Sequence, residues 1–158
     1  MPEVRRARPE EGPVLLELIR GLAEYEKLEP PNEAAAQRLL SDIFGEKPRL
    51  EAWLAFVEGE PAGYALVLET YSSFLALPTL YLEDIFVKPE FRGRGAGKAL
   101  FLRLVEEAER RGCGRMEWVV LDWNRTALEF YERFGAGRLN EWVTMRLTRA
   151  DFEKILKQ

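Results

Sequence analysis

The chain of 158 residues contains no histidine and a single cysteine, Cys113. The absence of histidine excludes a Ser-His-Asp triad and a Cys-His pair, and it argues against a zinc site. One cysteine excludes an internal disulfide. Any proton transfer must therefore use Glu, Asp, Tyr, Lys or water, and we expect no bound metal.

Long apolar runs are also absent, since none approaches the ~20 residues that span a bilayer, and residues 1–6 lack the apolar core of a signal peptide. We therefore expect a cytoplasmic protein with one domain over residues 1–158. The net charge is −4, and the basic residues are scattered along the chain. This pattern predicts no nucleic-acid or membrane partner, but it accommodates a small cationic partner.

A glycine-rich segment, residues 92–97, lies between an apolar run at 80–87 and a helical pattern that begins near Lys98. A glycine turn between a strand and a helix can hold phosphate, because backbone N–H groups and the helix dipole face the anion. A Walker A loop is excluded because Ala99 follows Gly97-Lys98. The dinucleotide-binding pattern Gly-x-Gly-x-x-Gly is also excluded, because its third glycine is absent whether the pattern begins at Gly93 or at Gly95. The remaining interpretations are an Arg92-x-x-Gly95-x-Gly97 phosphate loop or a turn without a ligand.

Apolar periodicity and turn residues predict the order β-α-α-β-β-β-α-β-α-β-α, an α/β (α+β) fold with a mixed central sheet flanked by helices. The predicted strands span 4–8, 52–57, 62–70, 80–87, 115–121 and 142–147. The predicted helices span 14–26, 33–44, 98–111 and 124–134, with a last helix opened by a capping box at Thr148–Asp151. The predicted loop 71–79 carries the aromatic segment 71–74, which either covers a pocket or forms a subunit interface.

The Arg92-x-x-Gly95-x-Gly97 loop resembles the acetyl-CoA pyrophosphate loop of the GNAT superfamily of N-acetyltransferases. Further segments resemble the diamine (spermidine/spermine) N-acetyltransferase branch, namely 22–26, 44–46, 81–87, Asn124 with Phe130-Tyr131, and Gly135-Ala136. The resemblance covers nearly the whole chain and implies a single-domain GNAT fold, acetyl-CoA as co-substrate, a small cationic amine substrate and a homodimer. Two segments, the hairpin connection and 139–142, are shorter than in the polyamine enzymes, which leaves the identity of the amine open.

The resemblance also implies which residues contact acetyl-CoA. Backbone N–H groups of the loop would hold the pyrophosphate, and main-chain groups at 85–87 would pair with the pantetheine arm as an added strand. The N–H of Ile85 is a candidate for receiving the oxyanion. Asn124 is predicted either to contact the cofactor or to cap a helix, and these roles are compatible. The predicted cofactor-binding residues are Ile85, Phe86, Val87, Arg92, Gly93, Arg94, Gly95, Ala96, Gly97, Lys98 and Asn124.

The resemblance implies catalytic roles for Tyr131 and Glu83. A phenol with a pKa of ~10 can protonate a thiolate of similar basicity, so Tyr131 is the predicted general acid, with a purely structural core role as the alternative. Glu83 is predicted to hold the amine and to accept its proton through water. Asp84 either binds a distal ammonium or is structural. Neighbours on a regular strand face opposite sides, so Glu83 and Asp84 share a site only if the strand is bulged.

The predicted substrate-binding residues are acidic or aromatic, as suits an extended diamine: Tyr25, Glu26, Glu83, Asp84, Glu141 and Trp142. The predicted function is acetyl transfer to a primary amine of a small diamine, polyamine or basic amino-acid analogue. Two alternatives are an enzyme acting on another amine (a protein N-terminus, lysine or aminoglycoside) and a non-catalytic acyl-CoA-binding module. Tyr131 and Glu83 argue against the module, because binding alone requires neither.

Overall fold

The structure, a computed structural model, describes residues 1–158. Its strands are β1 (Glu3–Arg6), β2 (Glu51–Val57), β3 (Glu60–Ser72), β4 (Leu77–Val87) and β5 (Arg115–Glu117). Its helices are α1 (Gly12–Glu26), α2 (Glu33–Phe44), α3 (Ala96–Arg110), α4 (Arg125–Glu132) and α5 (Arg149–Leu156). The chain forms two compact units, Met1–Val119 and Val120–Gln158. None of the helices has the length and apolar character needed to cross a lipid bilayer.

The first unit contains one five-stranded sheet in the order β1-β2-β3-β4-β5. The first four strands pair antiparallel, and β4 pairs parallel with β5. Glu58 and Gly59, with φ of 51° and 81°, make the tight β2–β3 turn, which requires positive φ at both central residues. Helix α3 supplies the crossover that a parallel pair needs. The sheet is therefore mixed, and the predicted α+β class is confirmed.

Successive strand residues point to opposite sides of the sheet, and helices cover both faces. One buried cluster lies between the sheet and α3; it includes Val67, Leu80, Leu82, Leu100 and Leu104. The other cluster packs α1 and α2 on the opposite face; it includes Leu15, Leu18, Ile43, Tyr64 and Phe86. The faces of β4 therefore contribute to two separate apolar clusters.

The hairpin between β3 and β4 is longer than the sequence predicts. Residues 71–72 and 77–79 were expected in a loop, but Tyr71 pairs with Pro78 and Ser72 with Leu77. The turn is confined to residues 73–76, where the Leu75 N–H donates to Ser72 Oγ at 3.1 Å. Pairing between β3 and β4 therefore continues beyond the ranges 62–70 and 80–87 for which the sequence predicts strands. Strand β5, predicted to reach residue 121, ends at Glu117.

The second unit contains α4 and α5 but no strand, so the prediction of a strand at 142–147 is wrong. The side chains of Trp142, Val143, Met145 and Leu147 are all exposed, Trp142 at 74%. Alternating apolar residues favour an extended chain, but a strand also needs a hydrogen-bonding neighbour, and these residues belong to no β ladder. The predicted capping box is confirmed, since the Thr148 N–H donates to Asp151 Oδ2 at 2.8 Å.

An ion-pair network holds α3 to the sheet. Glu107 is only 4% exposed and accepts hydrogen bonds from Arg110 Nη2 at 2.7 Å and Arg111 Nε at 2.9 Å. Arg111 also donates to Glu51 of β2 at 2.6 Å and pairs with Glu69 of β3 at 3.4 Å. The hydrogen bonds from Arg110 and Arg111 lower the pKa of Glu107 from 4.5 to about 2. The negative charge of the buried Glu107 carboxylate is therefore balanced by the two arginines that donate to it.

We expect Glu107→Gln to lower the free energy of unfolding by about 2 kcal/mol at pH 7, because it removes the buried negative charge that accepts hydrogen bonds from Arg110 and Arg111. The stabilisation from this group is complete above about pH 4.5 and is lost as the pH falls toward 2, since its pKa is depressed in the folded protein. Urea unfolding at several pH values measures both effects. Glu106→Gln is the control, because the Glu106 side chain is 70% exposed and pairs with Arg103 at 3.6 Å. Equal losses in the two variants would contradict this account.

Candidate active site

The glycine loop after β4 presents unpaired N–H groups at the start of α3. Gly95 is the N-cap residue, with φ of 87°, and it has no side chain that could cap the helix. The first helical bond runs from the Ala99 N–H to the Gly95 carbonyl at 2.9 Å. The N–H groups of residues 96–98 therefore have no acceptor within the helix. Together with the positive end of the helix dipole, these donors suit a pyrophosphate group.

The three cationic side chains of the loop differ from one another in their contacts. Lys98 is exposed, and Arg94 pairs with the exposed Glu58 at 3.1 Å. Arg92 Nε donates to the Val87 carbonyl at 3.1 Å, and its guanidinium lies over the rings of Tyr25 at 5.0 Å and Phe86 at 5.7 Å. Arg92 therefore connects the loop to the end of α1.

Strand β4 has an open edge next to the loop. It pairs with β5 only at residues 79–81, so residues 82–87 have no strand neighbour on that side. An open edge can pair with an extended ligand through main-chain hydrogen bonds. The predicted pairing of residues 85–87 with the pantetheine arm fits this edge.

A β-bulge interrupts β4 at its two carboxylates. Val67 pairs with Leu82 and Leu66 pairs with Asp84, so Glu83 is an extra residue. Leu82 packs in the cluster on the α3 face, and Phe86 in the cluster on the α1 face. The alternation therefore shifts by one at the bulge, and Glu83 and Asp84 both fall on the α1 face. The bulge on which their sharing of a site depended is confirmed.

Three carboxylates lie around one buried phenol on this face. The Tyr64 hydroxyl donates to Asp84 Oδ2 at 2.9 Å. Burial raises the pKa of Asp84 to about 6; the hydrogen bond from Tyr64 lowers it, and the charges of Glu83 and Glu26 raise it. Burial also raises the pKa of Glu26. We call Glu26, Glu83 and Asp84 the acidic cluster; none of the three forms a salt bridge, so the cluster favours a cation.

Tyr64 is not among the site residues predicted from the sequence. It is fully buried in β3, its pKa is raised by burial and by the acidic cluster, and its ring packs at a tilt against Phe86, 6.5 Å between centroids. The available signal was a tyrosine within the apolar run 61–68, because a buried phenol usually hydrogen-bonds to a partner. Only the strand register shows that the partner is Asp84.

The remaining predicted residues belong to the second unit. Tyr131 lies on α4, is 7% exposed and packs edge-to-face against Phe130, 5.3 Å between ring centroids. Asn124 caps α4, its Oδ1 accepting from the Ala127 N–H at 3.2 Å, so its predicted capping role is confirmed. Glu141 lies in a turn, and Trp142 directly follows it. The catalytic, cofactor and substrate roles given to these residues stay predictions.

Comparison with known proteins identifies the class. The sequence profile of the acetyltransferase (GNAT) family matches residues 16–136. A thialysine N-epsilon-acetyltransferase of Bos taurus is 38% identical over 146 residues, which cover 87% of this chain and 85% of that protein. A human spermidine/spermine N(1)-acetyltransferase-like protein is 30% identical over 161 residues, covering 98% of this chain and 23% of that protein. An integron cassette protein of V. cholerae has the same fold, with a TM-score of 0.83 at 24% identity over 99% of this chain and 98% of that one.

The chain belongs to the GNAT family of acetyltransferases. It is an acetyl-CoA-dependent N-acetyltransferase, as its resemblance to this family predicted. The open edge of β4 and the unpaired N–H groups at the start of α3 fit that co-substrate.

We expect Gly95→Ala to weaken acetyl-CoA binding about tenfold, because an alanine at φ of 87° moves the N–H groups that are predicted to face the pyrophosphate. The added Cβ would make only ordinary contact with Pro2, at 3.7 Å, so the backbone strain of about 1 kcal/mol dominates. Calorimetric titration with acetyl-CoA measures the dissociation constant.

The matched control is Gly59→Ala in the β2–β3 turn, where φ is 81° and an added Cβ meets nothing within 4 Å. It should lose similar stability and keep its affinity for acetyl-CoA. If both variants bind acetyl-CoA as the wild type does, the loop is not the pyrophosphate site.

Proposed function

We propose that this enzyme acetylates a primary amine of a small diamine, polyamine or basic amino acid. The observation that carries the proposal is the acidic cluster, in which no carboxylate has a salt-bridge partner and two have raised pKa values. Such a cluster is stabilised by a bound ammonium group. The names of the bovine and human relatives, which refer to thialysine and to spermidine/spermine, support the same class of amine.

Acetyl-CoA supplies the activated acetyl group. We propose that the N–H groups at the start of α3 hold its pyrophosphate and that the open edge of β4 at residues 85–87 aligns its pantetheine arm. The predicted contacts of Arg92, Lys98 and Asn124 with the co-substrate belong to this proposal. The N–H of Ile85 is our candidate for stabilising negative charge on the acetyl oxygen.

The acidic cluster provides two different carboxylates. Glu83 is exposed and has access to water, so we propose that it accepts the proton of the attacking amine through a water molecule. Asp84 is half-buried and hydrogen-bonded, so we propose that it holds a distal ammonium group. Glu26 and Tyr25, at the end of α1, would extend this surface, and Glu141 and Trp142 are proposed substrate contacts from the second unit.

Tyr131 is the proposed general acid. Its hydroxyl would donate the proton that the departing thiolate needs, and a phenol matches the basicity of a thiolate. The position of Tyr131 in the segment Asn124 to Ala136, which resembles the family pattern, supports this role.

Several broader expectations stay predictions: that residues 1–158 act as one domain, that the enzyme is a cytoplasmic homodimer, and that it binds neither nucleic acid, membrane nor metal. Size-exclusion chromatography with light scattering tests the dimer directly. The exposed residues Tyr71 and Phe74 on the β3–β4 hairpin are candidates for the subunit interface or for a pocket cover.

Release of CoA thiol from acetyl-CoA tests the function, with putrescine, spermidine, spermine, thialysine, lysine, an aminoglycoside and a short peptide as acceptors. We expect small amines with two or more cationic groups to give the highest kcat/KM. Higher activity on the peptide or the aminoglycoside would contradict the proposed acceptor class. No release with any acceptor, despite acetyl-CoA binding, would favour a non-catalytic binding module.

We expect Tyr131→Phe to lower kcat by about a hundredfold or more, the typical contribution of a positioned general acid, with little change in acetyl-CoA affinity. Thr70→Val is the control, because it removes a hydroxyl from an exposed residue of β3 to which no site role is given. A loss of only a few-fold in the Tyr131 variant would exclude this residue as the proton donor.

A further inference from the structure

We propose that Tyr64 is a positioning residue for the amine site: its hydroxyl fixes the Asp84 carboxylate so that this carboxylate can bind the ammonium group of the substrate. The proposal rests on the proposed function, since it assigns a role within the acidic cluster. It concerns a residue of β3 that lies beneath the site.

The geometry of β3 and β4 makes Tyr64 a rigid donor. Tyr64 is 0% exposed and pairs in register with Phe86, while Asp84 pairs with Leu66. The phenol therefore reaches Asp84 across a diagonal of the ladder, where long aromatic side chains can make contact. A ring packed in the core has few alternative rotamers, and its single O–H is donated to Asp84 Oδ2 at 2.9 Å.

The surroundings of Asp84 explain why the carboxylate needs such a donor. Glu83 from its own strand and Glu26 from α1 both act on it with like charge, and no basic side chain pairs with it. The cation on this face, Arg92, is placed over Tyr25 and Phe86 and donates to the Val87 carbonyl. Tyr64 from β3 therefore supplies the hydrogen bond that favours the ionised form of Asp84.

Removal of the hydroxyl should act on Asp84 in two ways. The carboxylate loses the contact that fixes its rotamer, and its pKa rises further, because burial and the like charges remain while the hydrogen bond that lowers the pKa is gone. A protonated Asp84 cannot pair with an ammonium group. The defect should therefore appear in the KM for the amine and grow as the pH falls.

The experiment compares the wild type, Tyr64→Phe, Asp84→Asn and the double variant, with the best amine of the acceptor panel, between pH 6 and 9. For Tyr64→Phe we expect the amine KM to rise about tenfold near neutral pH, with little change in kcat or in the KM for acetyl-CoA. The acidic limb of kcat/KM, expected near pH 6 in the wild type because the pKa of Asp84 is about 6, should move up by about one to two pH units. Asp84→Asn should raise the amine KM and abolish this limb.

The double variant separates a positioning role from a general structural one. If Tyr64 acts through Asp84, Tyr64→Phe should have no further effect on the amine KM in the Asp84→Asn background. Thr70→Val, which removes an exposed hydroxyl from the same strand, should leave the amine KM and its pH profile unchanged. Thermal unfolding of every variant monitors folding.

Three results would overturn the proposal: an unchanged amine KM in Tyr64→Phe, a loss confined to kcat, or full additivity of the two substitutions. If Tyr64→Phe does not fold, Asp84→Asn with Tyr64 intact still decides, because an unchanged amine KM in that variant rules the proposal out. Calorimetric titration of amine into the CoA-saturated enzyme provides a second readout. If the wild type acetylates no amine, the proposed function fails, and weaker amine binding by Tyr64→Phe would still test the positioning role.

Discussion

The bulge at Glu83 is the constraint on which the rest of the site depends. In a regular strand Asp84 would face α3, within the apolar cluster that contains Leu82 and Leu100. A carboxylate there would lose its hydration and find no partner, at a large cost in free energy. The extra residue shifts the alternation by one, so both carboxylates face α1, while Leu82 before the bulge and Ile85 after it pack toward α3. The bulge therefore keeps both carboxylates out of the apolar cluster on the α3 face and places them on the α1 face.

The two strands that flank β4 differ in length, so the two edges of β4 have different roles. On one side β3 pairs with β4 along the whole hairpin, which fixes the register of Tyr64 relative to Asp84. On the other side β5 ends at Glu117, which leaves the edge of β4 open beyond residue 81. Below that edge the chain turns through Gly95 into α3. The short β5, rather than any special property of β4 itself, therefore makes the edge available to a ligand.

Local signals in the sequence predict much of this arrangement, and non-local ones are missed. The glycine turn and the cap at Asn124 follow from residue types within one helical turn, so they could be predicted. The bulge could be stated only as a condition, because adjacent carboxylates in an apolar strand do not show where the register shifts. The Tyr64 contact depends on pairing between residues 20 positions apart. The wrong strand at 142–147 shows the same limit, since alternation cannot supply a partner strand.

The charge of the acidic cluster also bears on which amines can react. A nucleophilic amine must be neutral, whereas a cluster of carboxylates stabilises the protonated form of whatever amine it contacts. The two demands are compatible when the substrate carries two amino groups: in the proposed function, Asp84 would hold one as an ammonium, and Glu83 would accept the proton of the other through water. The half-buried, hydrogen-bonded Asp84 and the exposed Glu83 differ in the way that this division requires. Under the proposed function, the structure therefore favours substrates with two separated cationic groups over simple monoamines.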